Sequence, residues 1–540
     1  MSQFINAREA IVTDAIDGLL ASAGGTLARL DGYPHIKVVI RADWDRAKVA
    51  LVSGGGSGHE PSHAGLVGKG MLTAAVCGEV FASPSVDAVL AGILAVTGPA
   101  GCLLIVKNYT GDRLNFGLAA ERARALGHDV SMVVVDDDIA LPNLPQPRGV
   151  AGTLFVHKIA GALAENGADL VTITAAAQRV IKGVASIGMS LDTCTVPGAA
   201  KEARIPEGKA ELGLGIHGEP GVSQVDFIDA KQAAGLIAER LAPHMASAPH
   251  AMLINNLGGA TPLEMSILTK ELLRTPLADS LSVLIGPAPL MTSLDMRGFS
   301  VSVLPLGEGD AETLRTPVGP AAWPGAVRVE PAKVASLPAG LAPDRPTPST
   351  HPERRALLLK CCEILIAAET SLNALDAKSG DGDTGSTLAG AARALIDAAD
   401  RLPLANLQKL HRAIGTELSQ TMGGSSGVLL AIFFAAAGEG SEENIAAAFT
   451  LGLERIKQVG GAVEGDRTMI DALAPALMAL PKGLDAAAMA ARQGADATAA
   501  ITKAKAGRAA YVPAASLRGN NDPGAEAVAL LFEDLQKRSK

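Results

Sequence analysis

The sequence predicts a two-domain protein, with an α/β domain first and an all-α domain second. Before residue 330, short apolar runs of strand character alternate with longer stretches of helical period. After residue 350, the helical period continues to the end of the chain with almost no strand signal. A Pro-rich stretch between them is typical of a semi-rigid linker. We therefore expect a first domain at 1–332, a linker at 333–350 and a second domain at 351–540.

The predicted strands of the first domain are apolar runs bounded by turn-forming residues, as buried strands usually are. These runs cover 48–53, 102–107, 130–136, 251–255, 282–285 and 299–304. Helical stretches such as 150–165 and 230–241 fall between them. In this layout the polar loops at the strand ends are where sites usually form.

The second domain is rich in Ala and Leu at helical spacing. Its candidate helices cover 353–373, 386–399, 404–421, 427–438, 442–458, 467–480, 484–502 and 523–538. Helices of this length pack as a bundle, so we expect an acidic loop between the first two of them to lie at one end of the bundle.

The composition argues against several function classes. A net charge of -9 disfavours generic nucleic-acid binding. The first twenty residues carry four charged side chains, so we expect no secretory segment, and the most apolar run, 427–438, is too short to span a bilayer. Five cysteines without a CxxC pair indicate neither a disulfide framework nor a zinc site. We expect a cytoplasmic protein that does not bind membranes.

The stretch 375–387 places Asp376, Asp381 and Asp383 among three glycines. Carboxylates this close repel one another unless a cation lies between them, and oxygen ligands favour Mg2+ or Ca2+ over zinc. The residues after Asp381 do not have the spacing of an EF-hand loop. The run 384–387, Thr-Gly-Ser-Thr, could open a helix towards a phosphate. The alternative is a solvated acidic turn, but the combination favours a Mg2+ and nucleotide-phosphate site.

The run Ser-Gly-Gly-Gly-Ser-Gly-His-Glu-Pro, 53–61, follows a predicted strand. Successive glycines allow close backbone approach and present N–H groups to a ligand, which favours a ligand loop over a flexible turn. Lys107 and Asp112 follow another predicted strand. If the two strands are neighbours, both side chains lie at the same sheet edge as His59; the alternative is an ordinary surface ion pair.

His217 lies between Gly215 and Gly218 in a match to GxGxxG. Glu-Pro-Gly follows instead of a helix, so there is no helix N-terminus to bind the pyrophosphate of a dinucleotide. The flanking glycines leave the imidazole accessible, as a nucleophile or a general base requires. The alternative is a solvated loop histidine.

Two further Gly-rich segments lie in the second domain. Residues 423–427 match the GxSxG hydrolase elbow, but a predicted helix precedes them where the elbow needs a strand. Glycines and hydroxyls between two helices instead suit a phosphate site at the second helix. The segment 460–471 places Met469 where it could cover an adenine ring or pack in the core. Neither a Walker A loop nor the protein-kinase motif set is present.

Together these motifs resemble the dihydroxyacetone kinase (glycerone kinase) family, specifically its single-chain ATP-dependent type. The resemblance covers nearly the whole chain. In the first domain it rests on SGGGSGHEP, KNYTGD and GIHGEPG, and in the second on LDxxxGDGDTG, GGSSG, GDRTM and GRAAY…DPGA. It implies a first domain of two α/β lobes and a second domain that is an antiparallel barrel of eight helices. Residues 512–521 depart from the family pattern.

The resemblance also implies roles in binding the substrate. His217 corresponds to the histidine that adds to the substrate carbonyl as a covalent hemiaminal. His59 and Asp112 correspond to residues that contact the substrate hydroxyls and assist proton removal. The further substrate contacts match Gly56, Ser57, Gly58 and Lys107.

For the nucleotide, the resemblance implies ATP and a pair of Mg2+ ions held by Asp376, Asp381 and Asp383. The matching nucleotide contacts are Thr384, Gly385, Ser386, Thr387, Ser425, Ser426, Gly461, Met469, Arg508, Asp522 and Gly524. The family pattern is a homodimer in which the substrate domain of one subunit faces the nucleotide domain of the other. We therefore expect a homodimer.

Other functions stay open at this point. Glyceraldehyde and four-carbon ketoses such as erythrulose also have a carbonyl to capture, and some relatives convert FAD to cyclic FMN with the nucleotide domain. In the phosphotransferase-system type of the family the two halves are separate chains, so their fusion here argues against that type. A non-enzymatic regulator is disfavoured because all the expected chemical groups are present.

Overall fold

The computed structural model describes residues 3–141, 146–245, 249–338, 346–442 and 444–537. The side chains of Ser425 and Arg508 lie outside that description, as do residues 339–345 of the predicted linker and residues 443 and 538 of two predicted helices. The chain divides into two compact units, Met1–Lys333 and Val334–Lys540. Each unit is described by itself below.

The first unit alternates strands and helices. Its strands are β1 (Leu27–Arg29), β2 (Val38–Arg41), β3 (Ala50–Ser57), β4 (Ala74–Val80), β5 (Cys102–Lys107), β6 (Val130–Val135), β7 (Ala185–Ser190), β8 (Lys209–Leu212), β9 (Ser223–Asp226), β10 (His250–Asn256), β11 (Leu281–Ala288), β12 (Gly298–Pro305) and β13 (Ala326–Arg328). Its helices are α1 (Ile11–Ser22), α2 (Val86–Val96), α3 (Thr110–Ala125), α4 (Thr153–Glu165), α5 (Leu170–Gly183), α6 (Ala230–Leu241), α7 (Pro262–Leu272) and α8 (Asp310–Arg315).

These strands form two sheets, which confirms the expected pair of α/β lobes. The first sheet has the order β1-β2-β4-β3-β5-β6, and its last four strands are parallel. The second has the order β13-β11-β10-β12-β7-β8-β9, and β10–β11 is the parallel pair among its described strands. Apolar residues of α4 and α5 pack with strands of both sheets, so one hydrophobic core joins the two lobes.

The long apolar runs of this unit were predicted well, and the weaker strands were missed. The strand at Cys102–Lys107 and the helix at Ala230–Leu241 have the predicted bounds. The strand predicted at 48–53 is longer than expected, because β3 continues through the glycines to Ser57. The missed strands are β1, β2, β4, β7, β8, β9 and β13, which are short or contain Gly, Ala and charged residues.

The second unit is all-α in its described residues, as predicted. Its helices are α9 (Pro352–Ala367), α10 (Glu369–Asp376), α11 (Thr384–Ala398), α12 (Leu407–Thr421), α13 (Gly424–Ala437), α14 (Ile445–Gly460), α15 (Ile470–Ala479), α16 (Leu484–Ala497), α17 (Ala514–Leu517) and α18 (Pro523–Lys537). The first predicted helix is two helices that meet at Ala368, and the four-residue α17 was not predicted. Two clusters rich in Ala and Leu form its core. Over the described parts of both units, no helix is both long and apolar enough to cross a membrane.

Candidate active site

The first group of candidate residues lies at one edge of the six-stranded sheet. β3 and β5 are neighbouring parallel strands, so their carboxyl ends meet there. Lys107 is the last residue of β5, and Asp112 is in the first turn of α3 just beyond it. His59 follows the end of β3. The two strands are therefore neighbours, which was the condition for expecting His59, Lys107 and Asp112 at the same sheet edge.

The glycines of β3 allow the backbone to approach its neighbours closely. A Cβ on Gly54 would lie 2.2 Å from the carbonyl oxygen of Val76 on β4. Gly55 has φ +144, and a Cβ on it would lie 2.8 Å from Lys107 Nζ and 3.3 Å from Asp112 Oδ2. Only glycine therefore fits between β4 and the two charged side chains.

Lys107 and Asp112 are buried, which excludes the alternative that they form an ordinary ion pair on the surface. Their exposed fractions are 1% and 2%. Lys107 Nζ donates to the Gly54 carbonyl at 3.1 Å and lies 2.7 Å from His63 Nε2. Burial lowers the pKa of Lys107, and the negative charges of Asp112 and Asp137 act against that shift. Asp112 Oδ1 has no hydrogen-bond partner among the described residues, so it can accept from a ligand.

The His59 ring is fully buried beside the ring of His217. Its Nδ1 lies 2.8 Å from the Thr292 carbonyl oxygen. A carbonyl only accepts, so Nδ1 carries the proton and Nε2 carries the lone pair. Burial, together with the positive charge of Lys107, holds the pKa of His59 well below its usual range. Its neutral Nε2 has no partner among the described residues and can accept from a substrate hydroxyl.

His217 lies in the loop between β8 and β9 of the second sheet and is enclosed by aromatic rings. Its ring centroid lies 4.8 Å from that of His59, 5.4 Å from Phe81 and 4.4 Å from Tyr109. Its side chain is 17% exposed, less than the flanking glycines suggested. The enclosure follows from the approach of the two lobes, which sequence spacing does not reveal.

Glu219 orients the His217 ring. One carboxylate oxygen accepts from the His217 backbone N–H at 2.8 Å, and the other lies 3.4 Å from Nδ1. A carboxylate only accepts, so Nδ1 holds the proton and the lone pair is on Nε2. The pKa of Glu219 is lowered to about 2: burial alone would raise it, but the hydrogen bonds that its carboxylate accepts from His217 outweigh burial. Nε2 is thus the atom available as a nucleophile.

Phe81, Tyr109 and Glu219 were missed by sequence reasoning. Phe81 stacks on His59 with centroids 5.3 Å apart, and its φ of +58 is one that L residues rarely adopt. Glu219 stands two residues after His217, so its position in the loop was the available signal. Nothing in the sequence indicated Phe81 or Tyr109, because these rings reach the site from the ends of β4 and β5.

Two other predicted substrate contacts already have hydrogen-bond partners in the protein, and a third is closely packed. Ser57 Oγ donates to the Gly78 carbonyl at 2.8 Å. The Gly58 N–H donates to the Glu60 carboxylate at 3.0 and 3.1 Å. Gly56 is buried in β3, where a Cβ would lie 2.7 Å from the Ala82 nitrogen. These positions shape the loop around His59.

The three acidic residues of the second unit converge. One carboxylate oxygen from each of Asp376, Asp381 and Asp383 lies within 4.8 Å of the other two. Asp376 Oδ2 accepts from the backbone N–H groups of Asp383 and Thr384 at 3.0 and 3.2 Å, which holds the loop around its carboxylate. A cluster of carboxylate oxygens fits a hard cation such as Mg2+.

The helix predicted after this loop begins at Thr384, directly beside the cluster. Asn373, which sequence reasoning missed, holds its first turn: Oδ1 accepts from the Ser386 N–H at 2.9 Å and Nδ2 donates to Ser386 Oγ at 2.8 Å. Gly385 packs against α10, where a Cβ would lie 2.1 Å from the Glu369 carbonyl oxygen. The N-terminus of α11 is therefore fixed close to the carboxylates.

The GGSSG segment joins two helices. A hydrolase elbow needs a strand before it, so this segment is not such an elbow. α12 ends at Thr421 and α13 begins at Gly424, so Ser426 lies in the first turn of α13. The N-terminus of a helix presents free N–H groups to anions. The segment therefore has the helix N-terminus that a phosphate site needs, and the site itself stays a prediction.

The last predicted nucleotide contacts lie around the start of α15. A Cβ on Gly524 would lie 3.1 Å from Met469 Cβ and 3.2 Å from Asp522 Oδ2, so these three residues are adjacent. Burial raises the pKa of Asp522 to about 6. Arg467, also missed, is buried and donates to the Asn520 carbonyl at 2.8 Å, which fixes the segment before Asp522. Gly461, with φ +70, directly follows the last residue of α14.

Comparison with known proteins gives the family. The Dak1 domain model matches residues 18–322, and the DAK2 domain model matches residues 378–537. The dihydroxyacetone kinase of Citrobacter freundii is 51% identical over 553 residues, covering 99% of each chain. The chain belongs to the dihydroxyacetone kinase family. This confirms the resemblance seen in the motifs.

Other members of the family are similar over the same length. A putative 3,4-dihydroxy-2-butanone kinase of Solanum lycopersicum is 42% identical over 98% of this chain and 97% of its own. The triokinase/FMN cyclase of Homo sapiens is 38% identical over 98% of each. Two crystal structures of the C. freundii dihydroxyacetone kinase share the fold. The native form matches with a TM-score of 0.68 at 49% identity, covering all of both chains, and the complex with AMP-PNP and Mg2+ with 0.67 at 48%, covering 99% of both.

Proposed function

We propose that this protein is an ATP-dependent kinase that converts dihydroxyacetone to dihydroxyacetone phosphate. The observation that carries the proposal is the pairing of His217 with Glu219, which leaves the Nε2 lone pair of an enclosed imidazole free to add to a carbonyl. The full-length similarity to a dihydroxyacetone kinase supports this assignment.

Capture of the substrate follows from the chemistry of the imidazole. A bond forms between His217 Nε2 and the central carbon of dihydroxyacetone, the carbonyl π bond breaks, and the carbonyl oxygen takes up a proton from solvent to give a hemiaminal. The ring, which is now cationic, stays paired through its Nδ1 proton with the Glu219 carboxylate. Glycerol has no carbonyl and cannot be captured. His59 Nε2 and the Asp112 carboxylate accept hydrogen bonds from the substrate hydroxyls, with Lys107 and the residues 56–58 around them.

Phosphoryl transfer needs positioning and charge neutralisation more than covalent chemistry. The oxygen of the terminal hydroxyl attacks the γ-phosphorus, the bond to ADP breaks, and the hydroxyl proton passes to Asp112. Mg2+, in our proposal two ions held by Asp376, Asp381 and Asp383, would neutralise charge on the triphosphate. The crystal structure of the C. freundii enzyme with AMP-PNP and Mg2+ supports the proposal that this protein uses ATP and Mg2+.

The nucleotide site in this proposal includes the first turns of α11 and α13. Its residues are Thr384, Gly385, Ser386, Thr387, Ser425, Ser426, Gly461, Met469, Arg508, Asp522 and Gly524. We also propose a cytoplasmic homodimer, in which the substrate unit of one subunit works with the nucleotide unit of its partner.

The proposal is tested with a panel of acceptors and Mg-ATP. Dihydroxyacetone, glyceraldehyde, erythrulose and glycerol are compared by the rate of ADP formation. We expect the highest kcat/KM with dihydroxyacetone and no phosphorylation of glycerol. Higher kcat/KM with erythrulose would make the protein a four-carbon ketose kinase, in line with the Solanum lycopersicum relative.

A second candidate activity is the lyase reaction that forms cyclic FMN and AMP from FAD. It is favoured by the full-length similarity to the triokinase/FMN cyclase of Homo sapiens. Incubation with FAD and Mn2+, followed by chromatography of the products, decides whether it is present. Formation of cyclic FMN in an Asp381→Ala variant would place that reaction outside the acidic cluster.

A further inference from the structure

The loop that carries His217 begins at Gly213, which is fixed through both its N–H and its carbonyl group. The N–H donates to the Gly188 carbonyl oxygen of β7 at 2.8 Å. The carbonyl oxygen accepts from Arg148 Nη2 at 3.0 Å. Gly213 has φ +73, which L residues rarely adopt, and a Cβ on it would lie 2.6 Å from Ala140 Cβ. The path of the loop at this point therefore depends on Arg148.

Arg148 is itself anchored where the two lobes meet. Its Nε donates to Asp138 Oδ2 at 2.6 Å, and the Asp138 side chain is 5% exposed. Asp138 follows β6 of the first sheet, and its backbone forms a bridge with Ser186 on β7 of the second. The Asp138 N–H also donates to the Arg148 carbonyl oxygen at 3.1 Å. Two nitrogens of one planar guanidinium thus tie the His217 loop to this point between the sheets.

The third nitrogen of the Arg148 guanidinium lies beside the residues that orient the His217 ring. A Cβ on Gly215 would lie 2.9 Å from Arg148 Nη1 and 2.3 Å from Glu219 Oε2, so both atoms border this glycine. Glu219 Oε2 is the oxygen that accepts from the His217 backbone N–H. Arg148 therefore lies beside the loop at its first residue and again two residues before His217.

We propose that Arg148 is a positioning residue for covalent capture, which keeps His217 Nε2 within reach of the substrate carbonyl carbon by holding the start of its loop. Bond formation needs the reacting atoms aligned at close range, and a misplacement of about 1 Å can cost about 100-fold in rate. Arg148 acts through the loop and takes no part in the bond. This inference rests on the proposed function, because it concerns the bond that His217 forms in that reaction.

Position and charge predict opposite effects of removing Arg148. Capture makes the His217 ring cationic, so a positive charge nearby disfavours the adduct. If Arg148 acted mainly through its charge, its removal would increase the fraction of bound substrate that is in the adduct. If Arg148 acts by position, its removal decreases that fraction. The sign of the change distinguishes the two roles.

The test measures the adduct by 13C NMR spectroscopy of the full-length protein, with dihydroxyacetone labelled at its central carbon. Capture converts this carbon from trigonal to tetrahedral, and the adduct signal is defined as the one that His217→Ala lacks. In Arg148→Ala we expect both the adduct signal and kcat/KM for dihydroxyacetone to fall at least about tenfold, within the cost of misplacing a reacting atom.

Arg179 provides a matched control. It donates two hydrogen bonds, each of 2.8 Å, to Asp310, a buried carboxylate in the same unit. Arg179→Ala breaks a comparable ion pair, so it reports the effect of lost stability alone and should keep the adduct signal and kcat/KM. If Arg148→Ala does not fold, Arg148→Lys serves instead. One ammonium group cannot reproduce two N–H groups in a fixed plane, so the adduct signal should still fall.

Two outcomes would overturn the proposal. They are an adduct signal that is undiminished or stronger in a folded Arg148 variant, and an equal loss of the signal in Arg179→Ala. Failure of this proposal is distinguishable from failure of the proposed function. In the first case the wild-type protein and Arg148→Ala both show the adduct. In the second, the wild-type protein shows no adduct that depends on His217.

Discussion

The rings of His217 and His59 meet edge to face, with centroids 4.8 Å apart and planes at 76°. In each ring Nδ1 faces a group that only accepts, the Glu219 carboxylate for His217 and the Thr292 carbonyl for His59. Both rings therefore present a lone pair at Nε2. The two lone pairs lie in one site, where the proposed function uses that of His217 to add to a carbonyl carbon and that of His59 to accept from a neighbouring hydroxyl.

Glu219 should control turnover through the tautomer of His217. Glu219→Ala removes the acceptor at Nδ1, so we expect kcat with dihydroxyacetone to fall about 10- to 100-fold, as for other residues that orient a reactive imidazole. Glu219→Gln should lose less, because its amide oxygen still accepts. Steady-state kinetics with the control Glu239→Ala, an exposed carboxylate on α6, check this. Equal activity of the Ala variant and the wild type would refute the orienting role.

Asp381 should be needed for nucleotide binding that depends on Mg2+. Asp381→Ala removes one of three converging carboxylates, so the cation site loses a ligand and binding of AMP-PNP should become undetectable by calorimetry with Mg2+ present. Asp397→Ala, an exposed carboxylate on α11, is the matched control. Unchanged Mg2+-dependent affinity in the Asp381 variant would show that the cluster does not hold the ion.

The first unit should lose stability as the pH falls below about 6.5, the usual pKa of histidine. Burial lowers the pKa of His157 to about 3. Between pH 3 and pH 6.5 the unfolded chain therefore binds more protons than the folded one. The contribution of the neutral His157 ring to the free energy of unfolding is fully present above pH 6.5 and is lost as the pH falls towards 3. At pH 5 this amounts to about 2 kcal/mol for His157 alone.

Urea unfolding of the wild type and of His157→Leu at pH 7.5 and pH 5 measures this loss. Both tryptophans, Trp44 and Trp323, lie in the first unit, so their fluorescence follows that unit alone. Between the two pH values the variant should lose less stability than the wild type by about the same 2 kcal/mol. Identical pH dependence in the two proteins would contradict a neutral, buried His157.

The two units should fold independently. Each has its own hydrophobic clusters, and the described residues 334–338 between the units are exposed. Fragments 1–333 and 346–540, produced separately, should both be soluble and unfold cooperatively in thermal circular dichroism. The second fragment should retain binding of AMP-PNP with Mg2+. Aggregation of both fragments would count against the division after Lys333.

The sequence predicted those features that depend on residues close together in the chain. The apolar run at Cys102–Lys107 is buried on both faces of the sheet, and its pattern was sufficient to place β5. The hairpin of β8 and β9 contains charged residues and has an exposed side, so it gave no strand signal. The acidic cluster was predicted because its three carboxylates lie within one turn-rich loop.

What the sequence could not predict depends on contacts between distant segments. Phe81 and Tyr109 reach His217 only because the loop between β8 and β9 meets the edge of the other sheet. Likewise, the contact of Lys107 with His63 depends on the pairing of β3 with β5. No spacing along the chain encodes these distances. The family resemblance supplied roles for several of these positions but not the partners that orient them.

The most direct test of the account is a crystal structure of the protein soaked with dihydroxyacetone, with His217→Ala as the control. We predict continuous electron density from His217 Nε2 to the central carbon of the substrate, with a substrate hydroxyl within hydrogen-bonding distance of His59 Nε2. The control should show no such adduct and should lose most of its activity while still binding ATP. Dihydroxyacetone bound without a bond to His217, or near-normal turnover in the His217→Ala variant, would contradict covalent capture.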